Sequence, residues 1–112
     1  MPGRNYRIVG TDNTKGGEQA TRHLLEQGCK RIAFFGDTRK PELALRHNGY
    51  AAALHSAGLK PDESLELKPP MERGAADEMI ADFIRDNTDI DGIVCCSDLL
   101  AASAISALKR HG

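Results

Sequence analysis

Residues 90–109, "IDGIVCCSDLLAASAISALK", contain the clearest indication of the fold class. The stretch opens with a short apolar run, which is typical of a strand buried on both faces of a sheet. A polar step, Ser97-Asp98, follows, and the rest is rich in alanine and leucine, which predicts a helix with Ser97 as its N-cap. A buried strand that leads directly into a helix indicates an α/β fold with a parallel sheet.

The remainder of the chain repeats this alternation. Apolar runs bounded by turn residues predict strands at 6–10, 30–37 and 64–68 ahead of the strand at 91–96. Helical spacing of apolar residues predicts helices at 14–27, from Pro41 to just before Gly58, at 71–86 and at 98–111. The order β-α-β-α-β-α-β-α predicts one α/β domain, and right-handed crossovers then place helices on both faces of the parallel sheet.

The composition is typical of a globular domain and argues against a nucleic-acid-binding or membrane protein. The chain has 112 residues, 40% of them apolar and 28% charged, with a formal net charge of −1. This balance is typical of a globular domain and gives no basic footprint for nucleic acid or a membrane surface. No apolar run approaches 18 residues and no signal peptide opens the chain, so we expect a cytoplasmic protein without a membrane partner. Neither end has a tail, so we expect the chain to be a segment of a longer protein.

The residues that often carry catalysis form no recognisable constellation. The three cysteines include an adjacent pair, which is a poor disulfide framework, and the four histidines lack metal-ligand spacing. We therefore interpret Cys95 and Cys96 as buried strand residues and expect neither a metal nor a cofactor. The paired glycines in "TKGGEQA" match no phosphate-binding loop. An enzyme, either cysteine-dependent or similar to a phosphoreceiver domain, is retained only as the least favoured class.

A binding site is expected at one edge of the sheet. Ligands of open parallel sheets bind beyond the carboxyl ends of the strands, where the loops after the last three strands meet. Arg46 follows the second strand, and its position alone leaves open whether it reaches this edge or extends into solvent along its helix. The rim suits a small polyhydroxylated or anionic ligand. Its predicted members are Asp37, Thr38, Arg39, Lys40, Arg46, Pro69, Met71, Ser97 and Asp98.

The last helix is apolar around almost its whole circumference. Such a helix must be covered on all sides, and the sheet covers only one. A subunit contact or another part of a longer chain would cover the rest. The alternative is that alanine is present here simply because it favours helix formation.

Three blocks of the sequence, in this order and spacing, carry a resemblance to a known family. They are "DNTKGGEQATRHLLEQGCKRIAFFGD" (12–37), "LALRHNGYAAALHSAGL" (43–59) and "IDGIVCCSDLLAASAISALKRHG" (90–112). Together they resemble the ligand-binding core of LacI/GalR-type bacterial transcriptional repressors. That core has the periplasmic-binding-protein-like (flavodoxin-like) fold, and the resemblance runs from about residue 9 to the end of the chain.

The resemblance implies an organisation and a function. Residues 1–11 would be the end of the first lobe with the hinge crossover, and residues 12–112 most of the second, C-terminal lobe. A small-molecule effector, most simply a sugar, would bind between the lobes. It would control DNA binding by a helix-turn-helix domain outside this chain, in a protein that forms homodimers. The alternative is a periplasmic sugar-binding protein of a transporter.

The resemblance also implies roles for individual residues. In "RHNGY", Arg46 occupies the place of the family's "R-x-x-G-[FY]" arginine, which contacts the effector. Ser97-Asp98 stands at the strand end where the family often has Asn-Asp, and Pro69 lies near a position that is often aromatic. The remaining predicted ligand residues are Lys40 and, at the crossover, Asn13. The predicted dimer residues lie on the last helix and are Ala102, Ser103, Ser106 and Lys109.

Overall fold

The computed structural model describes residues 7–10, 16–69, 73–87 and 89–111. The predicted alternation of strands and helices is confirmed within these ranges. The strands are β1 (Arg7–Gly10), β2 (Ile32–Phe35), β3 (Glu66–Leu67) and β4 (Gly92–Cys95). The helices are α1 (Gly16–Glu26), α2 (Pro41–Ser56), α3 (Arg73–Asp86) and α4 (Asp98–His111).

The four strands form one parallel sheet in the order β1-β4-β2-β3. Alternate residues of each strand face opposite sides. Ile93 and Cys95 of β4 join a core with α3 and α4, whereas Val94 and Cys96 join a core with α1 and α2. Every residue of β2 and β4 is buried. The prediction of a parallel sheet with helices on both faces is therefore confirmed.

The register of the two central strands is reinforced by Asp91, directly before β4. Its Oδ1 and Oδ2 accept hydrogen bonds from the backbone N–H of Lys30, at 3.1 and 2.9 Å, and Oδ1 accepts one from that of Arg31, at 3.0 Å. Hydrogen bonds to a charged acceptor are stronger than neutral ones, so this carboxylate fixes the start of β2 against the start of β4. The carboxyl ends of the two strands are consequently level.

The third strand is shorter than predicted. The sequence predicts a strand over 64–68, but only Glu66–Leu67 pair with β2, and Glu63–Leu65 form one turn of 3₁₀ helix. Asp62 explains the difference, because its Oδ1 accepts hydrogen bonds from the N–H and the hydroxyl of Ser64, at 2.9 and 2.7 Å. A side-chain acceptor two residues away offers the backbone a turn in place of the extended strand.

The first strand lies in the same sheet as the other three. Arg7–Gly10 pair with Gly92–Cys95, and β1 forms one edge of the sheet. The assignment of residues 1–11 to another lobe concerns the longer protein and stays a prediction.

The sequence predicts an apolar stripe on α3, made of Ala76, Met79, Ile80, Phe83 and Ile84. The structure confirms this stripe with one exception. Ala76, Ile80, Phe83 and Ile84 are buried, but Met79 is 39% exposed. On a helical projection Met79 lies at the margin of the stripe, beyond the four residues that already fill the face against the sheet and α4.

Candidate functional site

The carboxyl ends of the strands meet at one edge, as the parallel topology requires. Phe35 is in register with both Cys95 and Leu67. The ladder extends one residue further, because the N–H of Gly36 donates to the carbonyl of Leu67 at 2.8 Å and that of Cys96 donates to the carbonyl of Phe35 at 3.0 Å. The loops after β2, β3 and β4 therefore leave the sheet at the same level, which we call the carboxyl edge.

Arg46 reaches this edge. Its guanidinium Nη1 donates a hydrogen bond of 2.8 Å to the carbonyl oxygen of Cys96, the residue that follows β4. The side chain is half-buried between α2 and the sheet. Of the two positions that the sequence left open, the structure shows the one at the sheet edge. A planar cation is thus held where the sequence predicts a ligand.

Ser97 follows Cys96 and begins α4. Its hydroxyl oxygen accepts a hydrogen bond of 3.2 Å from the N–H of Leu100, so the predicted N-cap is confirmed. Arg46 and Ser97 are brought to the same part of the edge, because Arg46 binds the carbonyl of Cys96, the residue directly before Ser97. Asp98 is the first residue of α4, and its side chain lies outside the described part of the structure.

A local ion pair occupies the loop after β2. The Arg39 guanidinium binds the Asp37 carboxylate through Nε–Oδ1 at 2.8 Å and Nη2–Oδ2 at 2.9 Å, and the Arg39 backbone N–H donates to Oδ1 at 3.0 Å. These hydrogen bonds lower the pKa of Asp37 from 3.8 to about 2, with the Arg39 side chain as the largest cause. Both residues belong to the predicted rim, and their charges offset each other there.

The Asp37–Arg39 pair gives a pH prediction. In Arg39→Ala we expect the pKa of Asp37 to rise from about 2 toward its ordinary 3.8. Because the folded-state pKa is the lower one, the pair stabilises the fold at pH values above the unfolded pKa. This contribution disappears as pH falls through the folded pKa. Carboxyl ¹³C NMR across an acid titration measures it. Arg85→Ala, which removes the partner of Asp82 instead, is the control and should leave Asp37 unchanged.

The other predicted ligand residues are less closely grouped. Lys40 is exposed at the N-cap of α2, and its backbone N–H donates to the Asp37 carbonyl at 3.1 Å. Pro69 is buried after β3, and Thr38 is half-buried after β2. Asn13 and Met71 lie outside the described residues, so their predicted places at the site stay predictions.

The buried cysteines have the properties of core residues. Burial raises the pKa of Cys96 to about 12, partly opposed by the Arg46 charge, and burial raises the pKa of Cys95 further. Both thiols are therefore protonated at neutral pH and poor nucleophiles. Among the described residues, no three His, Cys, Asp or Glu side chains are placed to hold a metal ion. The described helices also include none that is long and apolar enough to cross a membrane.

The predicted dimer face of α4 is only partly open. Ala102, Ser106 and Lys109 are exposed, and Ile105 between them is 44% exposed. Ser103 is 6% exposed, because it faces the interior of this chain. The use of this face for dimerisation stays a prediction, and it would depend on the three exposed residues and Ile105.

One contact at the site was not anticipated from the sequence. The helical spacing that predicts α2 runs through Leu43, His47, Tyr50, Leu54 and Ala57. The Nε2 of His47 is 2.7 Å from Oε1 of Glu66 in β3. Its ring also packs edge-on against Phe34, with ring centroids 5.1 Å apart. The only signal in the sequence is a polar ring at an apolar helical position. Through these two contacts His47, the residue after Arg46, connects α2 to both β2 and β3.

A cavity of about 300 Å³ lies at the opposite edge of the sheet, where the strands begin. Its lining includes Arg31 and Lys60 beside Tyr50 and Leu54. No pattern in the sequence indicates this cavity. It is separated from the carboxyl edge by the length of β2.

Comparison with known proteins identifies relatives. Residues 7–112 match the family described as periplasmic binding proteins and the sugar-binding domain of the LacI family. The HTH-type transcriptional regulator RegA of Clostridium saccharobutylicum is 36% identical over 106 residues, covering 92% of this chain and 32% of RegA. The HTH-type transcriptional regulator GalS of Salmonella typhimurium strain LT2 is 32% identical over 114 residues, covering 100% of this chain and 33% of GalS.

A solved structure agrees in fold. A complex of the transcriptional regulator CelR with cellobiose superposes with a TM-score of 0.80 at 29% identity. The match covers 100% of this chain and 35% of that one. The chain thus spans about a third of the length of the curated relatives it matches.

Proposed function

This chain belongs to the family of periplasmic binding proteins and LacI-type sugar-binding domains, and we propose that it is the effector-sensing lobe of a transcriptional regulator. RegA and GalS are both named transcriptional regulators, which favours regulation over the transporter alternative and over catalysis. Binding of operator DNA would belong to a helix-turn-helix domain elsewhere in the longer protein. The small-molecule effector would bind at the carboxyl edge.

The observation that carries this proposal is the position of Arg46. Its guanidinium is fixed by the Cys96 carbonyl at 2.8 Å, beside the Ser97 cap. A guanidinium is a planar cation whose N–H groups match the geometry of hydroxyl and carboxylate oxygens, the groups expected on a ligand here. Holding the group before the ligand arrives reduces the entropy that binding must overcome.

A sugar is the class of effector that the site fits best. The edge places the Arg46 guanidinium with the half-buried Thr38, and the CelR structure was solved with cellobiose. Sugar hydroxyls both donate and accept hydrogen bonds, so they match a rim of mixed polarity. Pro69, buried where an aromatic residue would stack on a flat sugar face, makes recognition here depend on the polar contacts.

Control of DNA binding would follow from closure of two lobes around the effector. A ligand shifts a conformational equilibrium only if it binds the two conformations with different affinity. Contacts from both lobes exist together only in the closed form, so an effector between the lobes meets this condition. The coupling to DNA affinity equals that difference in binding free energy.

The test is thermal unfolding of the full-length protein with cellobiose, other sugars, sugar phosphates and purine bases. An effector at a hundredfold excess over its dissociation constant should stabilise the parent by about 2.7 kcal/mol. Arg46→Ala should abolish the shift of the midpoint. The matched control is Arg22→Ala on α1, whose side chain is 60% exposed and pairs with Glu18. This control should keep the full shift.

Two results would contradict the proposal. A midpoint shift that survives in Arg46→Ala would show that the arginine is not part of the effector site. The absence of a shift with every compound would contradict the sensing function itself.

A further inference from the structure

Helices α1 and α2 touch backbone to backbone at Gly17. A Cβ atom built on Gly17 would overlap the carbonyl oxygen of Arg46 and lie 2.7 Å from its carbonyl carbon. A second close approach follows at Gly49, where a Cβ would lie 2.7 Å from the backbone nitrogen of Glu18. Non-bonded heavy atoms pack best about 3.5–4.0 Å apart. Any side chain at these two positions would therefore push the helices apart.

The residue pressed against Gly17 is Arg46, the predicted ligand residue. Its backbone rests on α1 while its guanidinium, at the other end of the side chain, binds the Cys96 carbonyl at 2.8 Å. The first turn of α1 is itself held, because the hydroxyl of the buried Thr21 donates to the Gly17 carbonyl at 2.7 Å. The distance between α1 and α2 thus sets where the guanidinium lies along the carboxyl edge.

We propose that Gly17 is a positioning residue, which sets the place of the Arg46 guanidinium at the carboxyl edge and so determines effector affinity without touching the effector. The predicted effect on effector affinity rests on the proposed function, whereas the predicted effect on the position of Arg46 does not. A methyl group at residue 17 displaces the Arg46 backbone, and the hydrogen bond to Cys96 is then stretched or lost. Any movement of the first turn of α1 is transmitted to Arg46 by the same contact.

The positioning role has a direct readout at Cys96. The pair Cys96–Ser97 is the only Cys–Ser step among the 112 residues. The full-length protein labelled with ¹³C-carbonyl cysteine and ¹⁵N-serine therefore gives a correlation peak for this pair, identified by its loss in Ser97→Thr. Gly17→Ala should move the Cys96 carbonyl resonance toward its position in Arg46→Ala. A resonance that stays at the parent position would overturn the proposal.

The control must destabilise the fold without touching α1. Gly58 has a φ of +78° at the end of α2, and a Cβ there would meet nothing within 4 Å. Gly58→Ala introduces backbone strain alone, far along α2 from Arg46. It should lower the midpoint of unfolding while leaving the Cys96 resonance in place. A shift in Gly58→Ala equal to that in Gly17→Ala would mean that the resonance reports general loosening and would also overturn the proposal.

The second measurement is the affinity of the full-length protein and its variants for cellobiose. Misplacing a functional group by about 1 Å can cost up to about a hundredfold, so we expect Gly17→Ala to weaken binding at least about tenfold. Residual binding to Arg46→Ala is measured at cellobiose concentrations far above those that saturate the parent. In that background, Gly17→Ala should weaken binding no further, although it still lowers the midpoint. Additive losses would refute the positioning role. If cellobiose does not bind the parent, the ligand assignment fails, and the Cys96 resonance alone decides the role of Gly17.

Discussion

Replacing Phe34 by alanine is expected to lower the free energy of unfolding by about 3–5 kcal/mol, the usual cost of removing a buried aromatic ring. Phe34 is fully buried at the centre of β2, in the core that faces α1 and α2. Its ring centroid lies 5.1 Å from that of His47 and 5.1 Å from that of Tyr50, both on α2. The substitution therefore removes apolar contact area together with two ring contacts and leaves a cavity beneath α2.

Urea denaturation measures this loss as a change in midpoint at unchanged slope. Phe34→Leu, which keeps most of the apolar volume, should cost less than Phe34→Ala. Leu45→Ala is the control on α2, because Leu45 is 51% exposed and should change stability by no more than about 0.5 kcal/mol. A loss in Phe34→Ala as small as that of Leu45→Ala would contradict the packing described for β2.

The elements that the sequence predicts well are those with a strong local pattern. The runs "IAFF" and "GIVC" are apolar at every position, which is typical only of strands covered on both faces. Both are fully buried, and they form the centre of the sheet. Ser97 likewise has a local role, because a hydroxyl before an apolar helix caps the first turn whatever surrounds it.

Most of the features that the sequence did not predict depend on contacts between segments far apart in the chain. The paired glycines of "TKGGEQA" have no local pattern that announces a contact with Arg46, which arises only when α1 and α2 pack. The burial of Ser103 on α4 also depends on distant segments. Serine is a polar residue that the sequence placed on the exposed face, but here the rest of the chain covers it. The Asp62 turn that shortens β3 is local, but alternating apolar residues in "SLELK" favoured a strand.

The candidate site illustrates both cases. Its place at the carboxyl edge follows from parallel topology, which the alternation of elements predicts. The position of Arg46 does not follow, because one helical residue can direct a long side chain either to the sheet or to solvent. The structure places the side chain at the sheet, where the carbonyl of Cys96, 50 residues away in sequence, accepts a hydrogen bond from it.

Gly36→Ala is also expected to destabilise the fold. A Cβ on Gly36 would overlap Sγ of Cys96 and lie 2.9 Å from its Cβ and 3.3 Å from the Phe34 ring. Overpacking of this kind costs about 1–3 kcal/mol. Cys96 cannot move aside readily, since its thiol is buried in the core and its carbonyl holds Arg46. The strain therefore falls on the carboxyl edge.

A compensating substitution tests this explanation. Cys96→Ala removes the Sγ atom that the new methyl group would meet, so the Gly36→Ala/Cys96→Ala double variant should be more stable than the sum of the single losses predicts. Urea denaturation of the parent, the two single variants and the double variant gives the coupling free energy. Additive losses would show that the cost at Gly36 comes from its backbone rather than from Cys96. A measurable coupling would establish that residues 36 and 96, which directly follow β2 and β4, contact each other beside the acceptor of Arg46. The absence of a side chain at residue 36 would then be what allows this close contact at the carboxyl edge.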